Sequence, residues 1–294
     1  MEWLTAVRGA IDYMENNLMT VTGTAEVAKS VCLSEMYLQR GFSVLTGYTL
    51  GEYIRNRRLY LAALDIANTD AKVIDIAFKY GYETPESFTK AFTRFHSASP
   101  SDLRKGKGSI RSFLPLRIKL TIQGGDHMEF KIEKKESFTV IGFDRVFRSE
   151  TAYAEVPKFW DEIMDKFAAI FGGKAPETAQ ERACIENCVG EFGVCVGDAG
   201  MGAFRYIIAG RYKGGEVPEG MVTYKFPEYD WAVFDCRGSM PDSLQSLNTR
   251  IFSEWLPGNR EFELTGNASI EWYDEGDPAA PDYHSAIWLP IMRK

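Results

Sequence analysis

One helical unit occurs twice in the first hundred residues of this chain, about fifty residues apart. Ser34-Glu35-Met36-Tyr37-Leu38-Gln39-Arg40-Gly41-Phe42 returns as Thr84-Pro85-Glu86-Ser87-Phe88-Thr89-Lys90-Ala91-Phe92. Each copy has an apolar residue four before a Phe (Leu38/Phe42, Phe88/Phe92) and a cation two before it (Arg40, Lys90). Each follows a short helical stretch, Ala25 to Ser30 and Val73 to Tyr80, whose Val27-Ala28 and Ile76-Ala77 pairs suit helix–helix contact. Helix, tight turn and second helix with a polar outer face form the arrangement whose second helix enters the DNA major groove. A further helical stretch, Thr49 to Ala67, joins the copies.

Residues 5 to 105 resemble the tandem helix-turn-helix domain of AraC/XylS transcription regulators. The resemblance rests on Ser34-x-x-Tyr37-Leu38-x-Arg40-x-Phe42, Thr46-Gly47, Tyr53-Ile54 and Arg57-Arg58-Leu59. It continues through Ile76-Ala77, Gly81-Tyr82, Phe88-x-x-x-Phe92 and Pro100-Ser101-x-x-Arg104. There are three departures. Cys32 and Ser97 stand where the pattern has Gly, and Pro85 opens the second recognition helix. Cys32 is expected to hold a left-handed turn at some cost. Pro85 is harmless as a first helical residue.

The net charge of −7 would argue against nucleic acid if it were spread evenly. It is not. Residues 1–119 carry 16 Lys/Arg against 12 Asp/Glu, a net +4, and the remainder 18 against 29, a net −11. Such asymmetry suits a phosphate-binding module joined to an acidic module with a different partner. No apolar run approaches the ~18 residues of a membrane span, and Met1-Glu2-Trp3 does not open a signal peptide. Five cysteines, an odd count, favour reduced thiols and a cytoplasmic location.

The division falls between Lys105 and His127. Lys105-Gly106-Lys107-Gly108-Ser109 is a flexible basic stretch, Gln123 to His127 marks a turn, and Leu116 to Ile122 alternates like a half-exposed strand. That strand is assigned to the edge of the second domain. The expected bounds are 1–108 for an all-α tandem helix-turn-helix domain, 109–128 for the linker and 129–294 for an α+β domain. In the second domain a strand is expected over Glu129 to Phe143. A helix follows over Pro157 to Phe171, with Pro157 in its first turn and Trp160, Ile163, Phe167 and Phe171 on one face. Strands near Phe192 to Val196 and Ala203 to Tyr212 complete the unit. The order then repeats: strands over Val222 to Cys236, a helix from Pro241 to Trp255, and strands near Ala268 to Tyr273 and Ser285 to Ile291. Two β-α-β-β repeats imply an antiparallel sheet with two helices on one face and a pseudo-twofold axis, with a ligand cleft between the halves.

This half resembles the GyrI-like effector-binding domain found in multidrug-sensing regulators of the BmrR and Rob kind. The carrying residues are Phe138-x-Val140-Ile141-Gly142, Phe159-Trp160, Val217-Pro218-x-Gly220, Trp231-Ala232-Val233-Phe234, Ile270-Glu271-x-Tyr273 and Ile287-Trp288-x-Pro290. Regulators of the Rob kind join the two domains in this order.

By this resemblance Met36, Gln39 and Arg40 take the base-reading positions of the first unit, and Glu86, Thr89 and Lys90 those of the second. With Leu38 and Phe42 facing inward, Gln39 and Arg40 are expected on the exposed side, free to pair with adenine and guanine. Ordinary solvated surface is the alternative. Arg55, Arg57 and Arg58 either meet phosphates or pin the helices together.

The period of two puts Ser269, Glu271 and Tyr273 on one face of their strand and Ile270 and Trp272 on the other. In the resembling family this glutamate lies in an aromatic pocket and pairs with cationic ligands. A carboxylate enclosed by apolar walls selects for a positive partner, and aromatic faces attract cations. Trp160, Tyr206, Tyr283 and Trp288 are the candidate walls, with plain core as the alternative. Cys184-x-x-x-Cys188 with Cys195 has no nearby His and no zinc-knuckle spacing, so neither a metal nor a cofactor is assigned. Gly197-x-x-Gly200-x-Gly202 is expected to be a hairpin loop. His96 is expected at the surface, and His127 and His284 show no acid–base partners. No nucleophile–base pair is visible. The expected function is a non-enzymatic transcription regulator with three partners: double-stranded DNA, a small cationic aromatic or amphipathic effector, and RNA polymerase. Two rivals remain open, a small-molecule hydrolase fused to a DNA-binding domain and an architectural DNA protein with an inert second domain.

Overall fold

The computed structural model describes residues 3–118, 128–149, 151–197, 199 and 202–294. Seven helices come first: α1 (Trp3–Asn16), α2 (Thr24–Ser30), α3 (Glu35–Thr46), α4 (Leu50–Asn68), α5 (Val73–Lys79), α6 (Pro85–His96) and α7 (Pro100–Arg104). The sequence repeat is also a repeat of helix signals. The Ser34 and Thr84 hydroxyls accept from the backbone N–H groups of Tyr37 and Ser87, capping α3 and α6. Pro85 opens α6, where its missing N–H costs nothing. The turn before each of these helices passes through a left-handed residue, Cys32 at φ 56° and Gly81 at φ 80°. Each also ends on one, Gly47 at φ 74° and Ser97 at φ 60°. Each unit thus pairs one glycine with one residue that bears a Cβ and tolerates the strain.

The long α4 belongs to both units. Its first half packs against α1 to α3, and Leu59, Ala62, Ala63 and Ile66 form a second core with Ile76, Phe88 and Phe92. Arg57 and Arg58 pin these helices. Arg57 pairs with Glu15 at 2.7 Å and 2.8 Å and donates to the Phe113 carbonyl, and Arg58 donates to the Leu18 and Val21 carbonyls. His96 is buried rather than at the surface. Its Nδ1 accepts from the Arg111 backbone N–H, which leaves Nε2–H to donate to the Leu59 carbonyl at 3.1 Å. Burial holds its pKa below the usual histidine value.

The expected strand at Leu116 to Ile122 is absent over 116–118, and its remainder lies outside the described residues, as does His127. The preceding segment belongs to the helices. The Phe113 ring lies 5.2 Å from Tyr48 and 5.8 Å from Tyr53, and the Leu116 N–H donates to the Tyr53 hydroxyl.

The second half contains β1 (Lys131–Lys135), β2 (Phe138–Arg148), α8 (Ala152–Phe171), α9 (Ala179–Glu186), β3 (Phe192–Val196), β4 (Ala203–Arg211), β5 (Val222–Phe226) and β6 (Tyr229–Arg237). Helix α10 (Asp242–Arg250) continues through a π-helical stretch, Ile251–Trp255, to a last turn at Leu256–Gly258. Then come β7 (Phe262–Leu264), β8 (Ala268–Tyr273) and β9 (His284–Arg293). All pairings are antiparallel, in the order β1-β6-β9-β8-β3-β4-β2-β5, with β7 on the end of β9. The β3–β8 pair lies at the centre, with β4, β2 and β5 on one side and β9, β6 and β1 on the other. The single strand expected over Glu129 to Phe143 is therefore two strands, β1 at one end of the sheet and β2 next to the other. The sheet curls, bringing Phe138 of β2 within 6.2 Å of Trp231 of β6.

Helix α8 starts at Ala152, five residues before the expected Pro157, which lies inside it. Its buried stripe is Phe159, Ile163, Phe167 and Ile170, whereas Phe171 is exposed. Helix α9, opened by a Thr178–Glu181 capping box, and the three-residue β7 were not expected. Among the described residues no helix is long and apolar enough to cross a membrane.

The two halves share one hydrophobic core. Trp3 of α1 meets Phe252 of the π-helical stretch edge to face at 6.0 Å. The Tyr37 hydroxyl on α3 donates 3.0 Å to the Ala268 carbonyl at the start of β8. Gly41 permits this approach, since a Cβ there would meet the Trp3 ring at 2.1 Å and Phe252 at 2.9 Å.

Candidate functional site

Between the halves opens a cleft of about 1470 Å³. One wall is the sheet face around β3, β4 and β8, two more come from α8 and α10, and α3 with the start of α4 closes the other side. Strand alternation sets what the sheet offers. Glu271 and Tyr273 of β8 face the cleft, while Ile270 and Trp272 pack on the opposite face.

Glu271 is the centre of the polar network. Its Oε2 accepts from the Tyr206 hydroxyl at 2.6 Å and the Tyr273 hydroxyl at 3.0 Å. Trp160 of α8 donates Nε1–H to the Tyr206 oxygen at 3.0 Å, so a donor chain runs from indole to phenol to carboxylate. The Trp160 and Tyr273 rings meet edge to face at 4.9 Å. Burial first, and then the Glu271 charge, push both phenols well above the usual tyrosine pKa, so both act as neutral donors. The same two causes push the Cys195 thiol up to about 12. Oε1 faces Arg40 of α3, whose Nη2 lies 3.5 Å away. Arg40 also reaches the Ser269 hydroxyl at 3.3 Å and lies over the Phe252 ring.

The expected wall residues divide. Trp160 and Tyr206 are at the carboxylate, and Tyr283 lines the cleft with its hydroxyl donating to the Asp274 carbonyl. Trp288 does not belong. Its register against Ile270 and Val233 puts it on the far face, with Trp231 and Phe192. Tyr273, which the strand period placed on the face of Glu271, takes the contact instead. His284, expected to lack partners, has two: Asp235 at 3.1 Å and Asp274 at 3.6 Å.

The two recognition helices differ. On α6, Glu86 and Lys90 are exposed and Thr89 is half-buried. On α3 the expected exposure of Gln39 and Arg40 is overturned, because the second domain covers that face. Met36 is 7% and Gln39 3% exposed, and the Arg40 side chain 17%. Both polar atoms of the Gln39 amide are buried without a hydrogen bond among the described residues. Each group left this way costs about 1–3 kcal/mol.

Residues 131–291 match the model of the integron-associated effector binding protein family, and the chain belongs to that family over this half. Residues 27–106 match a helix-turn-helix domain. The regulatory protein SoxS of Salmonella typhimurium is 38% identical over 98 residues, 33% of this chain and 92% of that protein. This chain is an AraC-family transcription regulator. The right origin-binding protein of Escherichia coli is 27% identical over 176 residues, 60% of each chain, so that match runs past the helical domain of the regulator. The solved structure of SAV2435 bound to tetraphenylphosphonium is similar at 17% identity and a TM-score of 0.45, over 56% of this chain and 94% of that one. In this AraC-family regulator the DNA-binding half and the effector-binding half meet at α3, the helix on which the first set of reading positions is expected.

Proposed function

We infer that this regulator acts in the cytoplasm and responds to a small cation with an aromatic or amphipathic body, bound in the cleft against Glu271. The observation that carries this reading is the Glu271 carboxylate itself. Two neutral phenols hold one of its oxygens, and the other already faces a cation, Arg40. Tyr206, Tyr273, Trp160 and Tyr283 supply ring faces and edges for an aromatic cation. On DNA, Met36, Gln39 and Arg40 of α3 and Glu86, Thr89 and Lys90 of α6 read successive major grooves, and a bound effector biases that binding or contact with RNA polymerase. The cleft is read as a binding site and not a catalytic one. The phenols, pushed well above the usual tyrosine pKa, stay neutral and orient the carboxylate as hydrogen-bond donors.

Calorimetric titration of matched cationic and neutral aromatic ligands against the wild-type chain and Glu271→Gln tests the reading. Removing the charge with little change of shape should weaken the cationic ligand by tenfold or more, about 1.4 kcal/mol at least, and spare the neutral one. Equal losses for both would reduce Glu271 to a shaping residue.

A further inference from the structure

Arg40 has two calls on it in this fold. Its place on α3 makes it a base-reading residue, yet its guanidinium occupies the one carboxylate oxygen of Glu271 that the phenols leave open. The rest of α3 follows it into the second domain. Tyr37 bonds to the Ala268 carbonyl, Met36 abuts Gly197, whose added Cβ would lie 2.7 Å from its own, and Gln39 is buried with its amide unpaired. A helix held this way cannot enter a major groove, which requires these side chains at base edges. The equivalent face of α6 carries no such cover, with Glu86 and Lys90 exposed. The contact is also built to be reversible. The Arg40–Glu271 distance of 3.5 Å is long for a charged pair, and Gln39 gains no partner from docking.

We propose that Arg40 is the resident cation of the effector pocket, an internal competitor that keeps the first recognition helix off DNA until an effector cation takes Glu271 and expels it. This rests on the cation-binding reading of Glu271 and on α3 as a DNA-reading helix, and adds the order of events between them. One carboxylate oxygen serves either the guanidinium or the effector. Effector binding therefore undocks α3, and DNA, by capturing α3, empties the site for the effector. The two ligands favour each other, as linkage requires when both select the undocked state.

The competition gives a result opposite to that of a residue helping to hold the effector. An effector that must displace a resident group binds with its affinity reduced by the fraction of molecules in which the site is free. For a site about 90% occupied by Arg40, Arg40→Ala should tighten binding of tetraphenylphosphonium about tenfold in calorimetry on the full chain. Glu271→Gln should weaken it in both the wild-type and Arg40→Ala backgrounds. Unchanged or weaker binding by Arg40→Ala, with Glu271→Gln still harmful, would overturn the competition and leave the cation site standing. No effect of Glu271→Gln in either background, or no binding of tetraphenylphosphonium to wild type and Arg40→Ala alike, would sink the cation site itself. Tyr37→Phe provides a second route that leaves Arg40 and Glu271 in place. It should raise affinity several-fold for a duplex selected by the wild-type chain from a randomised library, and shrink the further gain from tetraphenylphosphonium. A cation that weakens DNA binding by the wild-type chain would refute the proposal.

Discussion

Arg57 ties α4 to α1 and to the segment around Phe113, and Arg57→Met measures that tie. The side chain is 6% exposed and makes three hydrogen bonds, two to the Glu15 carboxylate and one to the Phe113 carbonyl. Methionine keeps much of the apolar stem and removes all three. Glu15 is then left with the Tyr53 hydroxyl as its remaining donor in this cluster, and Phe113 loses its guanidinium partner. Breaking a buried pair from one side costs about 3–5 kcal/mol, mostly through the stranded charge. Glu15 is 20% exposed, so water recovers part of that, and the expected loss is near the low end, about 3 kcal/mol. Urea denaturation followed by helical circular dichroism should show the midpoint of the helical half falling by about 1–3 M, given slopes of roughly 1–3 kcal/mol/M. Arg57→Met combined with Glu15→Gln should recover a large part of the loss, because the stranded charge is gone. A single-variant loss under about 0.5 kcal/mol, or a double variant no better than the single one, would show that the cluster is surface decoration.

Three further outcomes follow from the same structure. Burial depresses the His96 pKa below the unfolded value of about 6.5, so the unfolded chain binds the extra proton first as pH falls. Stability from this residue is complete above about pH 6.5 and declines toward the folded pKa, and urea midpoints measured between about pH 5 and 7.5 should lose that slope in His96→Phe. Tyr206→Phe removes the shortest hydrogen bond to Glu271 and the acceptor of Trp160, and calorimetry should show about tenfold weaker binding of a cationic aromatic ligand. Lys90→Ala on the exposed face of α6 should lower the salt slope of DNA binding by about one, read from affinities at several salt concentrations.

Much of this architecture was legible because local signals repeat. The caps Ser34 and Thr84, the apolar residue four before a Phe, and the left-handed turns at each end of the second helix recur in both units, and each is decided within a few residues of chain. The face of Glu271 followed from the strand period alone, and Tyr273 with it. What failed was long-range. Trp288 lies beside Trp231 because of a strand register set 55 residues away, which local periodicity does not report. The strand through Glu129 to Phe143 split because β1 pairs with β6 near one end of the sheet and β2 with β4 and β5 near the other. Above all, Gln39 and Arg40 have every local mark of a solvated recognition face. Arg40 is instead held by Ser269 and Glu271, more than two hundred residues further along the chain, and Gln39 beside it is buried without a partner.

A cation held at Glu271 is expected to change how this regulator binds DNA. The direct measurement is the affinity of the full-length wild-type chain and of Glu271→Gln for one selected duplex, at fixed salt, with and without a saturating cationic aromatic ligand. The wild-type chain should bind DNA about tenfold tighter when the ligand is present, and Glu271→Gln should change by less than about twofold. Wild-type affinity that stays the same with the cleft demonstrably saturated would contradict it.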